Sequence, residues 1–169
     1  MHTEKLLRIG GRTAILAGVL RAAGSFSFGG EVERQSLYFI IDLLLLIGLF
    51  AVYAQNHQVL GRWGAAGFLT TVAGILLVRS SRAVPGLDLY PAGALSVAIG
   101  WVLLSLDWWR KAHGASFIPV LFALSLMTGL FGQLTQRSAD LFVASGVIFG
   151  AAMVGVGYQV LSASAAASR

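Results

Sequence analysis

The chain has 169 residues, of which 57% are hydrophobic and only 11% are charged. Because a soluble domain carries about 25% charged residues, this composition excludes a soluble fold with an ordinary polar surface. The formal charge of +5 does not indicate nucleic-acid binding, since the basic residues lie singly or in pairs between apolar blocks and form no surface that could follow a phosphate backbone. The absence of cysteine excludes disulfides, thiolate metal sites and cysteine nucleophiles.

Long apolar blocks divide the chain into six segments of about 20 residues, and a helix of that length spans about 30 Å, the hydrocarbon thickness of a bilayer. We therefore predict an all-α fold, a polytopic transmembrane bundle of six helices that forms a single domain over residues 1–169. Residues 162–169 are small and polar and are predicted to form a loose C-terminal tail. The predicted helices cover residues 7–28, 36–54, 60–78, 89–109, 116–134 and 139–161.

The first predicted helix is the least apolar, because it contains Arg12 and Arg21. If it does not cross the membrane, five spans remain. The loops between the predicted helices are short, and short loops join antiparallel neighbours. We therefore expect consecutive helices to pack as hairpins.

Lysine and arginine are more frequent on the side of the predicted topology that holds both termini. This asymmetry predicts that both termini are cytoplasmic, and we expect the protein in the bacterial cytoplasmic (inner) membrane. Aromatic residues near helix ends are expected to act as interfacial anchors, whereas Trp101, in the middle of the fourth helix, is expected to pack or to face lipid. The predicted anchors are Trp63, Tyr90, Trp108 and Trp109.

Two charged side chains lie inside predicted spans, Arg21 in the first and Asp42 in the second. In a hairpin of these two helices both lie roughly 10 Å below the same interface. An isolated charge at that depth costs about 2.5–3.5 kcal/mol on insertion scales, so we predict an intramembrane ion pair between Arg21 and Asp42. The preferred interpretation is a clip that fixes the register of the two helices, and the alternative is a site for a proton, an ion or an anionic substrate. Asp107, beside Trp108, is expected to be a solvated carboxylate at the interface.

Small residues at helical spacing predict close contacts between helices. The sequence leaves open whether these faces pack within one monomer or in an assembly with a second copy or with other membrane proteins. The predicted helix-packing residues are Gly64 and Gly67 in the third helix and Gly146, Gly150 and Gly155 in the sixth.

A weak internal repeat relates two segments of the chain, since GLFAVYAQ (48–55) parallels GLFGQLTQ (129–136). If the repeat is real, the chain consists of two three-helix units, and the odd number of helices inverts the second relative to the first. Chance matching is the alternative, because glycine, leucine and alanine are abundant in this chain.

No catalytic motif is present, and the three histidines, His2, His57 and His113, lie in termini or loops without a second ligand at helical spacing. We therefore expect no enzyme activity, no metal site and no cofactor. The favoured hypothesis is a structural or accessory subunit that packs in the lipid bilayer with itself, as a homo-oligomer, or with other membrane proteins. The alternative is a small secondary transporter or channel with inverted repeats that uses the Arg21–Asp42 pair. A membrane enzyme, or a binder of a lipid, pigment or quinone, ranks third.

Overall fold

The computed structural model of the chain describes residues 2–26, 30–81, 88–112, 115–135 and 138–166. In these ranges the chain forms six α-helices and no strand, which confirms the predicted all-α bundle. The helices are α1 (His2–Gly24), α2 (Glu31–Asn56), α3 (Arg62–Ser80), α4 (Tyr90–Ala112), α5 (Phe117–Leu134) and α6 (Ser138–Ala166).

Five of the described helices, α2 to α6, are long and apolar enough to cross a membrane. By composition and helix length the protein is therefore a multi-pass, membrane-embedded bundle. α1 is not among the five, and it is the helix that carries Arg12 and Arg21.

α1 runs from His2 to Gly24 instead of over 7–28, and α4 continues to Ala112 instead of ending at 109. The bounds of α2 and α6 differ from the prediction for local reasons. α2 begins before the predicted start, because the Gly30 N–H donates to Glu33 Oε2 at 2.7 Å and acidic residues in a first turn interact favourably with the helix dipole. α6 continues to Ala166, so residues 162–166 of the predicted loose tail are helical. Alanine has the highest helix propensity, and this segment is rich in it. Residues 167–169 lie outside the described residues.

The helices form a ring in chain order, closed by the contact of α6 with α1. α1 packs along α6 and α3 packs along α4, while α5 with α6 and α1 with α2 also pack closely. α2 and α3 are consecutive but approach each other only at a few points. The expectation that all consecutive helices pack as hairpins is therefore wrong for α2 and α3. Each of these two helices has a closer partner elsewhere in the ring.

Glycine brings α1 and α6 into close contact. Gly11 and Gly18 face Gly157 and Gly150, and a Cβ on any of these four residues would lie 3.0 Å or less from a backbone atom of the partner helix. Only glycine permits this approach, because any side chain would force the helices apart.

The contact between α3 and α4 has the same construction. Gly67 faces Gly100 and Gly74 faces Gly93, and a Cβ on any of them would lie 2.8 Å or less from a backbone atom of the partner helix. In both pairs the two glycines of each helix are separated by about two helical turns.

The glycines of the α1–α6 pair and those of the α3–α4 pair occupy corresponding positions in the two halves of the chain. When α1, α2 and α3 are matched with α4, α5 and α6, α1 corresponds to α4 and α6 corresponds to α3. The α1–α6 pair therefore corresponds to the α4–α3 pair. The shift along the chain is nearly the same for every glycine, and it is close to the shift of the sequence match between α2 and α5. Gly11 and Gly18 of α1 correspond to Gly93 and Gly100 of α4, and Gly67 and Gly74 of α3 correspond to Gly150 and Gly157 of α6.

The other glycines predicted to mediate packing also face helices of the same chain. A Cβ on Gly146 would meet the Ser25 hydroxyl next to α1, one on Gly155 would lie 2.8 Å from the Phe117 ring of α5, and one on Gly64 would meet a side chain of α4. The small-residue faces are therefore occupied within the monomer.

Aromatic rings fill the centre of the bundle. Trp101 is 1% exposed and stacks on Phe122 at 5.1 Å between ring centroids, and Phe122 meets the edge of Phe149 at 5.2 Å. Trp108, predicted as an interfacial anchor, is 4% exposed and belongs to the same core. It is buried because it lies on the face of α4 that carries Trp101 and Leu104, and position along the chain alone does not reveal that face.

The other three predicted anchors have exposed side chains. Trp63 lies in the first turn of α3, Tyr90 at the start of α4 and Trp109 near the end of α4, and all three are more than one third exposed. Their position relative to lipid headgroups stays a prediction.

Candidate functional site

A cavity of about 1000 Å³ lies at one end of the ring. Every helix contributes to its wall: the C-terminal parts of α1, α3 and α5, and the N-terminal halves of α2, α4 and α6. We call this half of the bundle the cavity end and the opposite half the closed end. The volume is at the upper limit of ordinary ligand sites, which measure roughly 300–1000 Å³.

The wall of the cavity consists mostly of apolar side chains, with a smaller number of charged and polar ones. The apolar part includes Ile41, Leu45, Val97, Leu126 and Phe149. The charged lining residues among the described part of the chain are three arginines and one carboxylate, namely Arg21, Arg34, Arg79 and Asp42.

Asp42 of α2 forms an ion pair with Arg79 of α3. The Arg79 Nε–H donates to Asp42 Oδ2 at 2.6 Å, and the Arg79 Nη2 group donates to the same oxygen. The Arg79 and Asp42 side chains are 32% and 19% exposed, respectively. The guanidinium also lies 5.6 Å from the centroid of the Phe39 ring, a distance at which a cation is attracted to an aromatic face. The pair thus bridges α2 and α3, where the helices themselves barely touch.

Arg21 lines the same cavity without pairing directly with Asp42. Its guanidinium carbon lies 5.5 Å from the centroid of the Tyr38 ring, and the Tyr38 hydroxyl donates to the Gly24 carbonyl at 3.1 Å. The positive charge of Arg21 acts on Asp42 over a longer distance.

The predicted Arg21–Asp42 ion pair therefore has a different partner in the structure. The predicted pair follows from the hairpin of α1 and α2 alone, whereas Arg79 belongs to the last turn of α3. An arginine at a helix end has a long side chain, which can reach a carboxylate deeper on a neighbouring helix. A basic residue at the end of the next predicted span was thus the signal for the observed partner.

Asp107 holds the closed end together. It is 5% exposed, and its Oδ2 accepts hydrogen bonds from the backbone N–H groups of Gly61 at 2.5 Å and Gly64 at 3.1 Å. Lys111 Nζ lies 3.7 Å from Oδ1. Gly61 is the N-cap of α3 and has no side chain of its own for this purpose, so α4 supplies the capping carboxylate. The solvated interfacial carboxylate expected from the sequence is instead a buried cap between two helices.

The contact between α5 and α6 closes one side of the cavity. The Ser125 hydroxyl donates to the Ser145 carbonyl at 2.9 Å, and the Ser145 hydroxyl donates to the Ser125 carbonyl at 2.8 Å. Both residues line the cavity. This reciprocal bonding has no counterpart among the described residues of α2 and α3.

The histidines stand apart from the cavity lining. His57 is exposed at the end of α2, with Nδ1 at 2.9 Å from the Ala54 carbonyl oxygen. His113 lies outside the described residues, and the His2 side chain is not described. Within the described ranges no three histidine, aspartate or glutamate side chains converge as metal ligands would.

No protein-family model matches the sequence, and no curated protein or solved structure matches it. The function is therefore inferred from the cavity, its charges and the helices that build it.

Proposed function

We propose that the protein is a small membrane carrier that binds its substrate in the cavity, beside the Asp42–Arg79 pair. The observation that carries the proposal is a space of about 1000 Å³ with an ion pair in its wall, inside a bundle of candidate membrane spans. Ionisable side chains within a membrane commonly mark substrate or ion pathways. The space opens at one end of the bundle, so a molecule can enter it from outside and reach the ion pair.

The correspondence of the two glycine-lined pairs supports this function. It relates α1–α3 to α4–α6, and two units with an odd number of helices would have opposite orientations in a membrane. Inverted repeats build many secondary transporters, whose substrate sites lie between the repeats. The cavity has walls from both units.

The two units differ at one equivalent interface. α5 and α6 pack closely and exchange hydrogen bonds through Ser125 and Ser145. α2 and α3 are bridged mainly by side chains, through Arg79 at the cavity end and through the Phe68 ring, which stacks on Tyr53 at 4.3 Å, further along. In a carrier that rocks one unit against the other, this difference supports an open side at α2–α3 and a closed side at α5–α6.

A structural or accessory subunit is the second candidate and now has less support. One of its bases, beside the short loops and the missing catalytic motifs, is the small-residue faces, and those glycines contact helices of the same chain. Homo-oligomerisation and partner membrane proteins stay predictions, and they are compatible with a carrier.

Single cysteines test the carrier directly, because the chain contains no cysteine of its own. Ala98→Cys places a thiol on the cavity wall, and Ser105→Cys, about two turns further on α4, places a matched thiol in the buried core at the closed end. Val32→Cys and Arg62→Cys mark the exposed cavity end and closed end, respectively. The variants are reconstituted in both orientations into sealed vesicles and treated with a membrane-impermeant thiol reagent.

Each marker reacts only in the molecules that point it outward. A carrier exposes its site alternately to both sides, so the Ala98→Cys thiol is expected to react almost completely, beyond either marker, while the Ser105→Cys thiol reacts least. Reaction of the Ala98→Cys thiol to no greater extent than the Val32→Cys marker would show a cavity open to one side only and would contradict the proposal.

A further inference from the structure

The charge of the cavity favours an anion. Three arginines face one carboxylate in the described lining. Arg79 already has Asp42 as its partner, whereas neither Arg21 nor Arg34 makes an ion pair with any of the described residues. The described lining therefore has a net charge of +2, which favours an anionic ligand.

The apolar side chains in the rest of the cavity wall favour a ligand in which the anion carries an apolar group. Val97 of α4, Leu126 of α5 and Phe142 of α6 line the cavity and keep part of their surface accessible. A small hydrated anion would leave these side chains against water, whereas a hydrocarbon chain would cover them. The lining therefore combines a cationic mouth with an apolar interior.

The Asp42–Arg79 pair is suited to exchange. Both Arg79 nitrogen groups that contact Asp42 donate to Oδ2, and none of the described residues donates to Oδ1. The strongest arginine–carboxylate pairing uses two parallel hydrogen bonds to two oxygens, and Asp42 does not provide it. A phosphate or carboxylate that enters the cavity can offer Arg79 two oxygens at once.

The gap between α2 and α3 gives such a molecule a route from the bilayer. The helices approach each other at few points, and the Asp42–Arg79 pair bridges them at the cavity end. Next to this gap α2 presents exposed apolar side chains, including Phe39 and Leu43. An amphiphile in a lipid leaflet would therefore reach the ion pair from the side, between these two helices.

We infer that the substrate is a single-chain amphiphile with a phosphate or carboxylate headgroup, and that this headgroup replaces Asp42 on Arg79. Asp42 is thus an internal competitor that holds Arg79 while the cavity has no substrate. The inference rests on the proposed substrate cavity and specifies the chemistry of its ligand.

Octyl phosphate is a suitable probe, because its short chain keeps it soluble as a monomer. It is titrated by calorimetry into the full chain in a neutral maltoside detergent, with inorganic phosphate as the free anion and octyl glucoside as the uncharged amphiphile. The variants are Asp42→Asn, Arg79→Gln and Arg79→Lys. Arg62→Gln is the matched control, because Arg62 lies on the same helix at the exposed closed end. Elution as a single species and an unchanged helical circular dichroism spectrum verify folding.

Octyl phosphate is expected to bind the wild-type chain, and Arg79→Gln to weaken binding by about tenfold or more, as the loss of hydrogen bonds to a charged group does. Arg79→Lys retains the charge without the planar fork and is expected to bind with intermediate affinity. Asp42→Asn is expected to bind more tightly than the wild type, because the competitor is gone. Removal of the Asp42 charge alone also reduces repulsion of an anion, so the increase indicates an exchangeable pair if it is absent when Asp42→Asn is combined with Arg79→Gln.

Equal affinities of Arg79→Gln and Arg62→Gln for octyl phosphate would overturn the inference, and so would weaker binding of octyl phosphate to folded Asp42→Asn than to the wild type. A third contradicting result is binding of inorganic phosphate as tight as that of octyl phosphate, which would indicate a site for a free anion. The thiol-labelling experiment is independent of these results. Alternating access without octyl phosphate binding would support the carrier function and contradict the amphiphilic substrate. Binding of octyl phosphate without alternating access would support the amphiphilic ligand and contradict the carrier function.

Discussion

Asp42 and Asp107 are both carboxylates within candidate spans, but their surroundings at the two ends of the bundle differ. Asp107 is 5% exposed and accepts hydrogen bonds from two backbone N–H groups at the start of α3. Asp42 is 19% exposed and is held by one arginine side chain at the edge of a cavity. Backbone amides are fixed in the helix, whereas an arginine side chain can rotate to another partner. The comparison thus separates a carboxylate that stabilises the fold from one that is available to a ligand.

The largest effect is expected for removal of the closed-end carboxylate. Asp107→Ala leaves two N–H groups at the start of α3 without acceptors and should lower the free energy of unfolding by about 2–3 kcal/mol. Asp42→Ala should lower it by less than about 1 kcal/mol, because Arg79 is 32% exposed near the end of α3 and its long side chain can turn to water when Asp42 is absent. Reversible unfolding in mixed detergent measures both values. Equal losses, or a larger loss in Asp42→Ala, would contradict the distinction between the two ends.

A smaller effect is expected when a methyl group is added near each end of the bundle. A Cβ on Gly64 would lie 2.7 Å from Asp107 Oδ2 and 2.9 Å from the Leu60 side chain, so Gly64→Ala should lower the free energy of unfolding by about 1–2 kcal/mol through overpacking. Gly129, on the cavity wall, would place a Cβ 3.2 Å from the Ser145 hydroxyl, with no backbone atom of another helix as close. Gly129→Ala should therefore be close to neutral, since alanine also favours the helix. A greater loss in Gly129→Ala than in Gly64→Ala would show that the cavity wall is as tightly packed as the closed end.

The smallest effect is expected at the contact between α5 and α6. Ser125→Ala removes one hydroxyl of the reciprocal pair with Ser145 and should lower the free energy of unfolding by about 1 kcal/mol. Thr128→Ala on the same helix is the control, because the Thr128 hydroxyl bonds to the Leu124 carbonyl of α5 itself. If both substitutions have the same effect, the interhelical hydrogen bonds do not close this side of the cavity.

Much of the fold follows from local patterns in the sequence. Apolar length predicts the five candidate spans, and glycines at helical spacing lie against other helices in the structure. The start of α2 is the exception, because the capping interaction of Glu33 with Gly30 extends the helix through a polar turn that hydropathy excludes.

The candidate site is less predictable, because it depends on which helices are neighbours. Asp42 is recognisable as an intramembrane charge, but its partner Arg79 depends on the approach of α3 to α2, which a hairpin rule does not describe. Trp108 illustrates the same difficulty, since its burial depends on the face of α4 and not on its distance from the helix end. The correspondence between the halves is equally hidden, because the shift that relates Gly11 to Gly93 differs from the shift that relates Gly67 to Gly150, and no single alignment without a gap includes both.

The most direct test is a double-mutant cycle for Asp42→Asn and Arg79→Gln, with the free energy of unfolding as the measured quantity. An exchangeable pair at the edge of a cavity predicts a coupling below about 1 kcal/mol, with both single variants folded. A coupling of about 2–3 kcal/mol, with the double variant recovering stability that each single variant loses, is the signature of a structural clip. That result would contradict the assignment of this pair to a binding site.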